Sequence, residues 1–475
     1  MKKHICIIFC WFTVHTSYAQ VANWAPLSTG LNGEPTCMIV FNNKLIVGGS
    51  FTSAGGNLAN NIAAWDGANW SVLGSGLKGN ATAASIGCSG FGYIGGYVAS
   101  LVIFNNELYA GGTFTNAGGS PCKNIAKWNG TSWSSVGGGV GPNQVLGVVH
   151  SLKVYNNELY VGGRIDSAGN VKVKNIAKWN GSNWSNVSGG TNLPIYAKVR
   201  AMDTLNNKLY IAGVFDTIGV TPANNIAAWD GSNWAALGAG FNFTLGTSVY
   251  GVTFLSTYNN MLYAGNPNTG ISKWDGTNWI AVGGGVSMSG SNGGNLAYCA
   301  TKYSNDLIVG GTFNNAGLLT YPQSIAKWND NVWSHVGIPL VSGTDSYSGF
   351  NSLCVRALAV YNNELYAGGS FLKEFLQNAN LNRIARFLNL VGINDIAMPQ
   401  NQVSVFPNPS TNQFNFNGLI GENTIQIMDI TGRILFAEKT SSENHSINLN
   451  ASQGMYFYKI SDKQNRIQQG KLILE

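Results

Sequence analysis

The stretch VIFNNELYAGGTFTNAGGSPCKNIAKWNGTSWSSVGGG, Val102–Gly139, returns with few changes as VYNNELYVGGRIDSAGNVKVKNIAKWNGSNWSNVSGG, Val154–Gly190. Self-similarity of this kind decides an architecture before any single element does. The unit occurs seven times, with centres at Asn42-Asn43, Asn105-Asn106, Asn156-Asn157, Asn206-Asn207, Asn259-Asn260, Ser304-Asn305 and Asn362-Asn363. Centre-to-centre spacing runs from 45 to 63 residues because one connecting loop varies.

Alternating apolar residues broken by turn residues divide each unit into four short strands, A to D. In the third unit these are Leu152–Tyr155, Glu158–Gly162, Asn175–Trp179 and Trp184–Val187. Asn-Gly or Asp-Gly joins C to D in five of the six complete units, and Asn329-Asp330 in the sixth. Glycine there accepts the positive φ of a tight hairpin turn. A small four-stranded sheet cannot bury both its faces alone, so repeated sheets of this size stack radially as propeller blades.

The double glycine after strand B (Gly48-Gly49, Gly111-Gly112, Gly162-Gly163, Gly310-Gly311, Gly368-Gly369) and an aromatic pair around the C–D turn resemble the kelch repeat. The pattern changes at Ala212-Gly213 and Gly265-Asn266, and the aromatic spacing is five residues. Six units carry the pair: Trp65/Trp70, Trp128/Trp133, Trp179/Trp184, Trp229/Trp234, Trp274/Trp279 and Trp328/Trp333. The seventh stops at NRIARFLNL with Phe387 in place of the first Trp, and lacks strand D. The missing piece stands near the N-terminus, where NWAPLSTGLNG (Asn23–Gly33) matches NWSVLGSGLKG (Asn69–Gly79). The expectation is an all-β chain: a seven-bladed kelch-like β-propeller over residues 20–390, whose N-terminal strand closes the last blade.

From Leu390 the repeat ends. A linker over 391–402 leads to VSVFPNPSTNQFNF (Val403–Phe416), then TIQIMDITGRILF, HSINLN, GMYFYKIS and a final KLILE. Five or six short strands predict a small Ig-like β-sandwich. Pro407, Asn408 and Pro409, then Gly432 and Arg433 of DITGR, then Gly454 and Tyr456, and Lys471 in the last strand are similar to the type A sorting domain of type IX secretion. That resemblance, over 403–475, implies handling by the type IX secretion machinery, passage across the outer membrane of a Gram-negative bacterium, and a secreted or cell-surface destination.

Residues 1–19 read as a signal peptide, with Lys2 and Lys3, an apolar run from Ile5 to Val14 and small residues at Ser17 and Ala19. That run is well short of the roughly 20 helical residues a bilayer needs, and no transmembrane segment is expected. Charged residues make up only 10% of the chain. The net charge of +6 is scattered rather than striped, so nucleic acid is not an expected partner. Cys37, Cys88, Cys122, Cys299 and Cys354 follow the leader without metal-type spacing. If a disulfide forms, Cys88 with Cys122 is the pair to expect, because both fall in loops flanking one blade.

The tryptophans recur at one strand position in blade after blade, so they read as scaffold rather than as a sugar platform. A–B and C–D turns are uniformly tight and share one face, whereas B–C and D–A loops are long, irregular and share the other. Binding residues usually sit on such loops. Aligning the units five positions before the last strand A residue gives Thr36, Ala99, His150, Arg200, Thr253, Tyr298 and Arg356, a ring at the channel mouth that differs from blade to blade. His150, Arg200, Tyr298 and Arg356, with Asp345 and Tyr347 from the loop over 337–355, are the candidate ligand set, suited to an anionic or glycan ligand. The three histidines beyond the leader, His150, His335 and His445, form no metal or triad pattern, so no metal, cofactor or catalytic residue is expected.

The function expected is non-enzymatic binding or adhesion, with a glycan or protein recognised through the long-loop face. The alternatives are a hydrolase or lyase at the channel mouth, using Arg200, Arg356, Tyr298 and Asp345, and a structural surface-layer component. Asp166-Ser167-Ala168, Asp203-Thr204-Leu205 and Asp216-Thr217-Ile218 also match a three-residue O-glycosylation pattern.

Overall fold

A computed structural model of the chain describes residues 24–79, 82–83, 93–94, 96–141, 148–192, 197–242, 251–287, 296–320, 324–337, 340–341, 353–374, 380–388, 403–419, 421–429, 433–463 and 467–475. The chain divides into two compact units, Met1–Asn389 and Leu390–Glu475. Among the described residues, all the regular elements are strands.

The first unit contains seven four-stranded antiparallel sheets with strand order A-B-C-D. In the third, the strands are Val148–Tyr155, Glu158–Arg164, Ile176–Trp179 and Trp184–Asn186. Each inner strand lies against that of the next sheet, and the seventh (Val355–Tyr361) lies against the first (Glu34–Phe41). The seventh sheet takes its outer strand from the far end of the chain. Trp24–Pro26 pairs antiparallel with Ile384–Phe387, Trp24 opposite Phe387, in the register that Trp65 and Trp70 adopt in the first sheet. Trp24 is fully buried, with ring centroids 5.2 Å from Phe387.

Tryptophans hold neighbouring sheets together. Trp70 Nε1 donates to the Leu27 carbonyl at 2.8 Å, Trp133 to Leu73 at 2.8 Å, Trp184 to Gly137 at 3.1 Å and Trp333 to Val282 at 3.0 Å. Each reaches the segment that follows strand D of the preceding sheet. Near the opposite turns, the Tyr155 hydroxyl donates to the Asn207 carbonyl and that of Tyr361 to Asn43, both at 2.9 Å. The seventh sheet is thus bonded to the first at both ends.

The B–C connections differ from the irregular loops expected. Most fold back as two-residue ribbons, such as Ser167–Ala168 with Val171–Lys172. The segment after strand D pairs with the next sheet's ribbon, as Leu77–Lys78 does with Asn116–Ala117. Two-residue strands leave no periodicity to read. The fifth unit has no such ribbon among its described residues. Its buried Asn266 instead accepts from the amides of Asn268 (3.0 Å) and Thr269 (3.1 Å), closing a tight turn.

The disulfide expectation is corrected. Cys122 is a buried free thiol whose Sγ lies 2.9 Å from the Ile125 carbonyl, so it does not pair with Cys88, which is outside the described residues. Among the described cysteines, the fully buried Cys354 is disulfide-bonded, whereas Cys37 and Cys299 are free.

The second unit has a three-stranded sheet (Ser404–Phe406, Gln413–Asn417, Asn444–Asn448) and a four-stranded one (Ile434–Thr440, Asn423–Met428, Gly454–Asp462, Ile467–Leu474). Phe414, Phe416, Ile425, Ile427, Tyr456 and Leu472 form its core.

Candidate functional site

The double glycine sets the geometry of the inner strands. A methyl group on the first glycine would meet the next sheet: on Gly111 it would stand 2.4 Å from the Val149 side chain, and on Gly162 2.6 Å from that of Val199. On the second glycine it would strike its own sheet. A methyl group on Gly163 would stand 2.0 Å from the Val148 carbonyl oxygen, and one on Gly112 2.0 Å from that of Tyr97. Opposite this second glycine the inner strand bulges, carrying one residue more than its partner.

Bulges fall between Pro35 and Cys37, Val98 and Ser100, Val149 and Ser151, Val199 and Ala201, Ala297 and Cys299, and Val355 and Ala357. The extra residues are Thr36, Ala99, His150, Arg200, Tyr298 and Arg356, six of the seven ring positions taken from the sequence. In the fifth sheet Asn266 replaces the second glycine, and the strand Phe254–Tyr258 runs without a bulge. Thr253 precedes that strand, and its hydroxyl donates to the Ala297 carbonyl. Sheet four keeps Gly213 and keeps its bulge although its first glycine is Ala212.

Several of these residues interact across sheets. The Arg356 guanidinium lies 5.0 Å from the centre of the Tyr298 ring, and its Nε is 3.9 Å from Glu34 Oε2, with both side chains of that pair largely buried. Burial, then Arg200 and Lys198, hold the His150 imidazole well below its usual range. Burial first, then Arg200 and Arg164, bring the Lys198 ammonium down to about 8. The Tyr97 hydroxyl is pushed up by burial and drawn back by Arg200 and Arg356. Groups from the second, fourth and seventh sheets are therefore in electrostatic contact. Asp345 and Tyr347 lie outside the described residues.

Lys198, Glu34 and Tyr97 stand beside the candidate set without being part of it. They share one position, two residues before the ring residue, where the units carry Glu34, Tyr97, Val148, Lys198, Gly251, Leu296 and Cys354. Reading that second unmatched column would have found them. Among the described residues, no three His, Cys, Asp or Glu side chains gather as a metal site would require, and no helix is long and apolar enough to cross a membrane.

In the second unit Pro407, Asn408 and Pro409 are exposed, and Asn408 Oδ1 accepts from the Ile473 amide at 2.8 Å, tying the Pro-Asn-Pro turn to the last strand. Arg433 closes its own turn, with Nε donating to Asp429 Oδ2 at 3.0 Å and its amide to Oδ1 at 3.1 Å. Gly432 lies outside the described residues. Gly454 opens its strand, Tyr456 is buried with its hydroxyl on the Ser452 carbonyl, and Lys471 stands opposite Phe457.

Residues 404–475 match the secretion system C-terminal sorting domain, and residues 92–269 match the Rax2 C-terminal β-propeller domain. No curated protein matches the sequence. Among solved structures, PorZ, a surface component of the type IX secretion system of Porphyromonas gingivalis, aligns at 14% identity and TM-score 0.36, over 92% of this chain and 70% of that one. The extracellular domain of a protein described as a hybrid two-component system from B. thetaiotaomicron aligns at 11% identity and TM-score 0.38, over 93% and 68%. The computationally designed Ika4 protein aligns at 16% identity and TM-score 0.22, over 36% and 84%. The chain is an all-β protein that joins a propeller-type domain to a C-terminal sorting domain, and that tail marks it as secreted or displayed at the cell surface.

Proposed function

We propose that the seven sheets are the blades of one kelch-like propeller followed by an Ig-like sorting domain, and that the protein is a non-enzymatic surface or secreted binder. It recognises a glycan or protein through the face of the B–C and D–A segments and the channel mouth. One observation supports this reading: where almost everything else repeats, bulges in six of the seven sheets lift one non-repeating side chain out of the ladder. Bulges of this kind re-aim side chains at functional sites. The hydrolase or lyase alternative relies on Asp345, which lies outside the described residues.

The test is a glycan and protein array probed with the full chain and its Arg200→Ala variant. Arg200 is the better position to change, because removing Arg356 would leave Glu34 buried without its cation. Selective binding that falls at least tenfold in the variant is expected. Selective binding that the variant leaves unchanged removes the channel mouth, and no selective binding at all removes the binding function.

A further inference from the structure

The four-stranded sheet of the second unit closes one of its edges and leaves the other open. Its last strand, Ile467–Leu474, is met at its end by the chain itself: Ser410 bridges to Leu474, its amide donating to the Ile473 carbonyl at 2.9 Å and its carbonyl accepting from the Glu475 amide at 2.8 Å. The opposite edge strand, Ile434–Thr440, pairs with Asn423–Met428 on one side, and no described strand lies along its other side. Five of its seven residues are exposed, Ile434 and Leu435 among them. Such an edge presents a row of unmet backbone donors and acceptors, a template for another strand.

A cavity of about 580 Å³ adjoins the start of this edge, with Arg433, Leu435, Phe436, Asn448 and Tyr456 in its lining. Leu435 is the extra residue of a bulge, since Phe436 stands opposite Ile427 and Ile434 opposite Met428. The bulge takes it out of the ladder and into the cavity wall. Arg433 adds charge at the same place. Its Nε donates to Asp429 Oδ2 at 3.0 Å, which fixes the guanidinium, and its side chain is 75% exposed with no other hydrogen bond or ion pair among the described residues. Farther along the edge, Glu438 is engaged by His445 at 3.2 Å, whereas the exposed Lys439 has no ion pair among the described residues. The edge therefore carries a cation at either end, about 20 Å apart along an extended strand.

We propose that Ile434–Thr440 accepts an extended peptide as a fifth strand, one with an acidic residue at each end of a short apolar stretch. One carboxylate lies on the Arg433 guanidinium, the apolar side chain beside it enters the cavity against Leu435 and Phe436, and the second carboxylate meets Lys439. In strand addition the backbone ladder supplies affinity and the side-chain pockets supply specificity. Charge-assisted bonds from a guanidinium to a carboxylate are strong and orienting. A sugar would leave the backbone row unmet, and a second copy of this chain would bring the same two cations rather than acids. This site belongs to the second unit and does not depend on the binding function proposed for the seven sheets.

The experiment is fluorescence anisotropy of the full chain with a fluorescein-labelled peptide of sequence ETVTVTE. The comparison peptides are QTVTVTQ and an ETVTVTE methylated on alternate backbone nitrogens. The acidic peptide is expected to bind at least tenfold more tightly than either comparison. Arg433→Gln with Lys439→Gln should lose at least tenfold in affinity at an unchanged melting temperature. Lys463→Gln, a loss of charge in the same unit at a pair with Glu422, should bind like the parent. If the double variant melts early, Lys439→Gln alone is read, with a loss of at least threefold expected. Equal affinity for the glutamine peptide removes the acidic partner, and equal affinity for the methylated peptide removes strand addition. A folded double variant that binds like the parent overturns the proposal, as does a parent chain that sediments as a dimer while the double variant sediments as a monomer.

Discussion

At Gly163, a methyl group would stand 2.0 Å from the Val148 carbonyl oxygen, inside any allowed contact. The requirement there is the bulge rather than a positive φ, so glycine is kept for room. Gly163→Ala is expected to cost about 1–3 kcal/mol by forcing the third sheet's bulge to shift, read as a lower denaturant midpoint at unchanged slope. The glycine pairs were plain in the sequence, but their reason was not. A bulge depends on two strands together, and a single-strand pattern does not record it. The ring positions were still legible because counting back from the Asn-Asn turns crosses the same bulge in six sheets. Lys198 escaped that count because it lies beyond the bulge, in a column that matches no repeat position.

Trp24–Pro26 is a three-residue element that carries the seam of the ring. Trp24 is fully buried against Phe387, and Leu27 just beyond accepts the Trp70 indole N–H. Trp24→Ala should therefore destabilise by about 3–5 kcal/mol, the usual cost of removing a large buried aromatic, and deletion of residues 20–33 should lower the melting temperature severely. A deletion that melts like the parent would show that the seam holds without its outer strand. This strand was legible because its neighbours NW…LSTGLNG copy an internal repeat. The ribbons were not, since each rests on two residues and on pairing with the preceding sheet. Strand A was placed too short for the same reason as the bulge: its upstream half, Val148–Ser151, loses simple alternation at His150. Cys122 was misassigned because spacing within loops says nothing about which thiols are packed in the core.

The molecule consists of two compact units, each with its own hydrophobic core. A chain ending at Asn389 should keep the melting transition of the seven sheets within a few degrees while accumulating inside the cell envelope, because the sorting tail that directs export is gone. Fractionation with immunoblotting reads the second outcome, and calorimetry the first. The boundary between the units was visible as the point where the repeat stops, and the tail's function as its Pro-Asn-Pro, DITGR and Gly-Met-Tyr segments. The ligand was not visible at this scale, since the ring's chemistry depends on which sheets become neighbours. The bulges bear on how such a molecule changes over generations. A bulged residue belongs neither to the hydrogen-bonded ladder nor to the interleaved core between sheets. A change at position 99, 150 or 200 therefore leaves the backbone ladder as it is, whereas Arg356 is tied to Glu34 and Thr36 to the Val98 carbonyl of the next sheet. These positions work as a short alphabet on a fixed page: single substitutions change what the strand presents, and the backbone ladder beneath is inherited unchanged.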